Sequence, residues 1–252
     1  MVSPPSTPTN PTPQTWGPPT SYATKSDKIV CVMVGLPARG KSYIARRLAQ
    51  YISFFYGAPT RVFNVGDYRR KAASGSFHGA DFFDTKNEAA LAERQKASEA
   101  ALADLIQWMS ETVPPRLDKD DLFLSGDFGA VGIFDATNTT RARRQWILDE
   151  LRPVGVKVIF IESICNDPML VASNVMTSKV SGPAVKDYVG VPVEEAVRDF
   201  DQRIEHYREV YEELGPEERH LVWIKMVDGG RSRLRRRRNP TSLHEPGLLP
   251  CD

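Results

Sequence analysis

The sequence predicts an α/β fold, a parallel sheet flanked by helices on both faces. Strand-like and helix-like segments alternate along most of the chain. The strand-like segments are continuous apolar runs, the pattern of strands buried on both faces. At 252 residues, 41% hydrophobic and 26% charged, the chain has the apolar material for a full core.

The first element, Ile29–Val34, is wholly apolar and reads as a central strand. A glycine-containing turn over 35–42 leads into a helix over 43–55, and 61–64 is a short second strand. A long Ala/Leu/Glu-rich helix runs from Glu88 to about Ser110, with Asn87 as its N-cap and Pro114–Pro115 beyond its end. Residues 111–128 form a long polar connection. Strands follow at 130–134, 157–164 and 221–226, alternating with helices at 140–151, 167–180 and 194–214.

The ends differ in composition from the middle. Residues 1–24 hold seven prolines and nine Ser/Thr, so 1–27 is expected to be a disordered segment. Residues 231–252 hold six arginines against Glu245 and Asp252, and 229–252 is expected to be a basic disordered tail. Residues 28–228 form the expected domain. The net charge of +1 is concentrated in that tail, so the domain does not have the balance of a nucleic-acid binder. No apolar run nears the ~18 residues of a membrane span, and no secretory signal pattern opens the chain. Three widely spaced cysteines exclude a disulfide framework and a Cys-type zinc site; the expected location is a reducing cytoplasm.

The turn after the first strand carries chemistry. Gly35-Leu-Pro-Ala-Arg-Gly40-Lys41-Ser42 fits the Walker A pattern, between a strand and a helix as the motif requires. Its glycines let backbone N–H groups turn toward phosphate oxygens. Lys41 is placed to reach β/γ-phosphates and Ser42 to ligate Mg²⁺. Val131-Gly-Ile-Phe-Asp135 ends an apolar strand in a carboxylate, as a Walker B strand does; an Asp there is also a common helix cap. The fold class sharpens to a P-loop NTPase-type sheet. The chain has no guanine-reading Asn-Lys-x-Asp. Asp127-Phe-Gly129 stands without the other protein-kinase motifs. Tyr68-Arg69-Arg70, Arg94, Arg141-Ala-Arg143-Arg144, Lys179 and Arg203 lie after strands, where guanidinium forks can converge on an anionic acceptor.

Four stretches resemble the kinase domain of the 6-phosphofructo-2-kinase/fructose-2,6-bisphosphatase family: residues 35–42, Phe63-Asn-Val-Gly-Asp-Tyr-Arg-Arg70, Phe134-Asp-Ala-Thr-Asn-Thr-Thr-Arg141 and Phe160-Ile-Glu-Ser-Ile-Cys-Asn-Asp-Pro168. The resemblance covers about residues 28–228. It implies transfer of the ATP γ-phosphoryl group to the 2-hydroxyl of fructose 6-phosphate, giving fructose 2,6-bisphosphate, a regulator of glycolysis. ATP would be held by Gly35, Leu36, Pro37, Ala38, Arg39, Gly40, Lys41, Ser42 and Tyr43, and by Asn174, Val175, Met176, Thr177, Ser178 and Lys179. The sugar phosphate would meet Arg69, Arg94, Thr137, Arg143, Lys179, Arg203 and Tyr207. Mg²⁺ would sit on Ser42 and Asp135, and the catalytic set would be Lys41, Asp135, Cys165 and Lys179. Cys165 also reads as a packing residue, because it ends an apolar run and phosphoryl transfer needs no thiol.

The chain departs from the family pattern at Asp67, where many relatives have glutamine, and in the longer stretches 111–128 and 181–188. Similarity fades after Asp228. None of His78, His206, His220 and His244 lies in an Arg-His-Gly motif, so no phosphatase activity is expected of this sequence. The rival readings are a P-loop kinase acting on a nucleic-acid end, which lacks aromatic interleaving beyond Tyr68 and Tyr207, and a silent nucleotide-binding regulator, which intact Lys41, Ser42 and Asp135 oppose. The expected partner is the small-molecule sugar phosphate; a homodimer is left open.

Overall fold

The computed structural model describes residues 28–72, 79–112, 129–180 and 187–228, the Lys179 side chain apart, and the backbone of 232–237. The expectations for 1–27, for nearly all of 111–128, for most of 181–188 and for the end of the chain lie outside those residues. The strands are β1 (Ile29–Val34), β2 (Thr60–Asn64), β3 (Val131–Asp135), β4 (Lys157–Ile164), β5 (Trp223–Val227) and β6 (Ser232–Arg237). The helices are α1 (Lys41–Tyr56), α2 (Val65–Ala72), α3 (Glu88–Glu111), α4 (Arg141–Leu151), α5 (Pro168–Val175) and α6 (Val193–Glu209). The sheet order is β2-β3-β1-β4-β5-β6, with the first five strands parallel and β6 antiparallel to β5.

Strand periodicity explains why β1 is apolar throughout. Val30, Val32 and Val34 belong to one buried cluster, with Leu102 and Leu105 of α3 and Ile147 of α4. Cys31 and Met33 belong to another, with Ala45 of α1 and the partly buried Ile44 and Leu48 beside it. Helices therefore cover both faces, and each fully buried Val or Leu contributes about 1.5–3 kcal/mol. Burial pushes the Cys31 thiol up to about 12, which makes it a packing residue. A third cluster, built on Val175, Phe200 and Ile204, joins α5 to α6.

Several expectations shift. The helix expected over 167–180 is α5 followed by a π-helical turn, Met176–Val180, and the helix expected to reach 214 ends at Glu209. Thr140 is the N-cap of α4, accepting from the Arg143 backbone N–H, and not its first helical residue. α2 and the 3-10 turn Ala80–Phe83 were not expected from the sequence. Ser232–Arg237, expected in the tail, pair with β5. An outermost strand needs backbone partners on one side only, so charged composition does not bar it from the sheet. Among the described residues no helix is long and apolar enough to cross a membrane.

Candidate active site

The loop between β1 and α1 has a backbone that its sequence requires. Gly35 has φ +132°, and a Cβ there would lie 2.5 Å from the Ser163 carbonyl oxygen, so no larger residue fits. Gly40 has φ +81°, and Ala38 is held at φ 57°, unusual for a residue with a side chain. Three neighbours fix this shape. The Gly35 N–H donates to the Thr137 carbonyl at 2.9 Å, the Asn174 amide to the Ala38 carbonyl at 3.0 Å, and the Ser163 hydroxyl to the Arg39 carbonyl at 2.5 Å. The Lys41 ammonium curls over the loop and donates to the Leu36 carbonyl at 2.6 Å. No side chain caps the start of α1, which leaves its first-turn N–H groups to an anion.

Next to the loop, β2 and β3 end in register at Asn64 and Asp135. Asp135 is buried. The Asn64 amide donates to the Asp135 carboxylate and, at 3.4 Å, to the Ser42 hydroxyl. Its Oδ1 accepts from the Asp67 N–H at 3.1 Å and so caps α2. One asparagine therefore draws together the two oxygens expected to hold a metal. A hydroxyl and a single carboxylate suit Mg²⁺, which takes few protein ligands and leaves other positions to phosphate and water. Among the described residues there is no cluster of His, Cys, Asp or Glu that would suggest a different metal.

Arginines form a second wall of the same cleft. Arg69 of α2 and Arg203 of α6 stack on the Phe83 ring, their guanidinium carbons 4.9 and 3.6 Å from its centroid, with Arg94 at 6.0 Å. Tyr207, one helical turn after Arg203, packs against the same ring. Arg94 also donates to the Phe83 and Asp84 carbonyls, each at 3.2 Å, and so holds the Phe83 turn in place. Asp187 accepts from Arg69 at 2.7 Å, Arg70 at 3.1 Å and Arg203 at 3.4 Å. Burial and the charge of Arg203 lower Arg69 to about 10. Burial alone would raise the Asp187 carboxyl, but Arg69, Arg203 and Arg70 outweigh it and hold it well below the usual carboxylate range. The same contest, won by Arg203, Arg94 and Arg69, lowers the partly buried Tyr207 phenol. Arg143 stacks on Trp146 at 4.3 Å and donates to Gln95; burial lowers it to about 10.

Both walls line one cleft of about 1790 Å³, together with Thr137, Cys165, Asn174, Thr177 and Ser178. Single-ligand pockets run to roughly 1,000 Å³, so the cleft has room for two substrates side by side. Tyr43 stands exposed on it. Not every expected residue reaches it. Val175 is buried in the core between α5 and α6, and Met176 is partly exposed beside it. Arg144, grouped with the acceptor arginines by sequence, is fully buried on Glu218 at 2.6 and 2.8 Å; it is a structural residue. Arg141 pairs with Glu212 and Glu217. Lys179 lies on the π-helical turn. Asn64, Phe83 and Asp187 were missed. Asn64 was findable as an Asn-x-x-Asp helix start, whereas Phe83 and Asp187 join the site only through contacts far apart in sequence.

The comparisons with known proteins fit this geometry. The profile of the family described as 6-phosphofructo-2-kinase matches residues 18–114 and 116–238, beyond Asp228 and through β6. The chain is 42% identical over 204 residues to 6-phosphofructo-2-kinase/fructose-2,6-bisphosphatase 3 of Rattus norvegicus, covering 80% of this chain and 33% of that protein. It is 43% identical over 200 residues to 6-phosphofructo-2-kinase/fructose-2,6-bisphosphatase of Gallus gallus, covering 79% of this chain and 38% of that protein. The chain thus spans about a third of the length of these relatives. A Walker loop, its carboxylate strand and a stacked-arginine wall, within a match over most of the chain at this identity, lead to one assignment: the chain belongs to the 6-phosphofructo-2-kinase family.

Proposed function

We propose that the cleft transfers the γ-phosphoryl group of ATP to the 2-hydroxyl of fructose 6-phosphate, forming fructose 2,6-bisphosphate and ADP. The observation that carries this reading is the two-walled cleft itself. A phosphate loop with a hydroxyl–carboxylate pair shares one cleft with a cluster of stacked arginines, which suits a second anion. The Rattus and Gallus relatives carry 6-phosphofructo-2-kinase in their names, which supports the same substrate here.

In this mechanism the backbone N–H groups at the start of α1 hold the ATP phosphates, and Lys41 leaves the Leu36 carbonyl to meet the β- and γ-oxygens. Ser42 and Asp135 would hold Mg²⁺, which when bound neutralises charge on those oxygens. Asn64 keeps the two ligands oriented. Arg69 and Arg203 grip the sugar 6-phosphate, which presents the 2-hydroxyl in line with the γ-phosphorus. The 2-oxygen bonds to phosphorus as the bond to the β-phosphate oxygen breaks, and the hydroxyl proton passes to Asp135. Lys179 would add positive charge at the transferring group. Cys165 lines the cleft without a step assigned to it.

The test is a coupled assay of the purified chain with ATP·Mg²⁺ and fructose 6-phosphate, with the product identified by its acid-labile 2-phosphate. ADP release that does not depend on fructose 6-phosphate, or a new phosphate at another carbon, overturns the proposal.

A further inference from the structure

Asp187 stands where the arginine wall should receive a phosphate. Its side chain is 17% exposed. Arg69 Nη2 and Arg203 Nη1 both point at its carboxylate. The faces of both guanidiniums lie against Phe83, so only their edges remain to donate. Arg70 divides its two terminal nitrogens between Asp187 and Asp67. Arg94 spends its own on the Phe83 and Asp84 carbonyls. A phosphate drawn to Arg69 and Arg203 therefore meets an anion already seated on the edges it needs.

We infer that Asp187 is an internal competitor for the sugar-phosphate end of the cleft, a specificity-determining residue whose carboxylate must be displaced before a phosphate binds. This rests on the reading of the wall as the acceptor-phosphate site. A phosphate carries close to two charges and three acceptor oxygens, against one charge and two oxygens for the carboxylate, so it can win the exchange. A sugar carboxylate, equal to Asp187 in charge and in oxygens, has no such advantage. The apparent affinity for phosphate is reduced by the fraction of time the arginines are open, so removing the competitor should tighten binding.

The test is the affinity of the full chain for inorganic phosphate, by calorimetry, in wild type and in Asp187→Asn, which keeps the side chain's shape and removes its charge. Phosphate should bind the variant about tenfold more tightly, with the KM for fructose 6-phosphate falling in parallel and the KM for ATP unchanged. Equal or weaker phosphate binding by the folded variant overturns the inference and makes Asp187 a residue that positions the arginines. Should the variant not fold, a crystal structure of the wild type with bound phosphate decides. Asp187 withdrawn beyond about 4 Å from Arg69 and Arg203 supports displacement, and Asp187 still seated on both overturns it. Tighter phosphate binding without sugar-kinase activity would sink the substrate assignment alone, whereas activity without tightening would sink the competitor alone.

Discussion

Lys41 and Phe83 illustrate two kinds of residue, one legible in the sequence and one not. The Walker pattern names Lys41 because phosphate chemistry demands an ammonium at a fixed step from two glycines. Lys41→Ala should lower kcat by about 10²–10³-fold, the cost of losing a charge contact made in the transition state. Its circular dichroism spectrum should match wild type; near-normal turnover would remove Lys41 from the phosphate path. Phe83 has no motif. It acts by being flat, buried and beneath Arg203 at 3.6 Å and Arg69 at 4.9 Å, and no local pattern encodes such a platform. Each stacked cation gains roughly 0.5–2 kcal/mol, so Phe83→Leu should raise the KM for fructose 6-phosphate about tenfold. The KM for ATP should hold, because the ring packs on Arg69, Arg203 and Tyr207 of the arginine wall; a matched rise in both would show that Phe83 supports the whole cleft.

At the scale of elements, periodicity was readable wherever an element is long or buried on both sides. β1, β4 and α3 were expected close to their observed limits for that reason. α2 was missed because its eight residues, VGDYRRKA, offer only Val65, Tyr68 and Ala72 to an apolar pattern. Its helix depends on the Asn64 cap and on packing against α3, which a one-dimensional pattern cannot register. α4 reads as a basic helix, but its third arginine is the anchor that joins it to the segment after α6. Arg144 holds both Glu218 oxygens and also donates to the Asn138 carbonyl at 3.1 Å, while Asn138 donates to Met33 of β1 at 2.8 Å. Arg144→Ala strands a buried carboxylate and should cost about 3–5 kcal/mol in urea denaturation. Pairing it with Glu218→Leu should recover most of that loss. A single-variant cost under about 1 kcal/mol would mean that water reaches Glu218.

The whole molecule depends on where the sheet ends. Composition made 229–252 read as a tail, since six arginines near the end of a chain usually face water. Strand pairing depends on backbone groups, however, and β5 has N–H and C=O groups on its outer side that β6 occupies, with Trp223 opposite Arg237 and Val227 opposite Ser232. The family match, which runs to residue 238, ends just past β6, so the sixth strand belongs to the domain and not to an appendage. A chain cut after residue 238 should therefore melt like the full one. A chain cut after residue 228 should leave Trp223–Val227 as a bare edge beside the strand that carries Glu162, whose buried carboxylate meets Lys225 of β5 at 3.0 Å. An uncovered edge of that kind invites pairing with other chains. The shorter form should melt several degrees lower and elute as larger species on gel filtration, with salt-dependent loss of material on warming. Identical melting and a single small species for both truncations would return 232–237 to the tail that composition predicts.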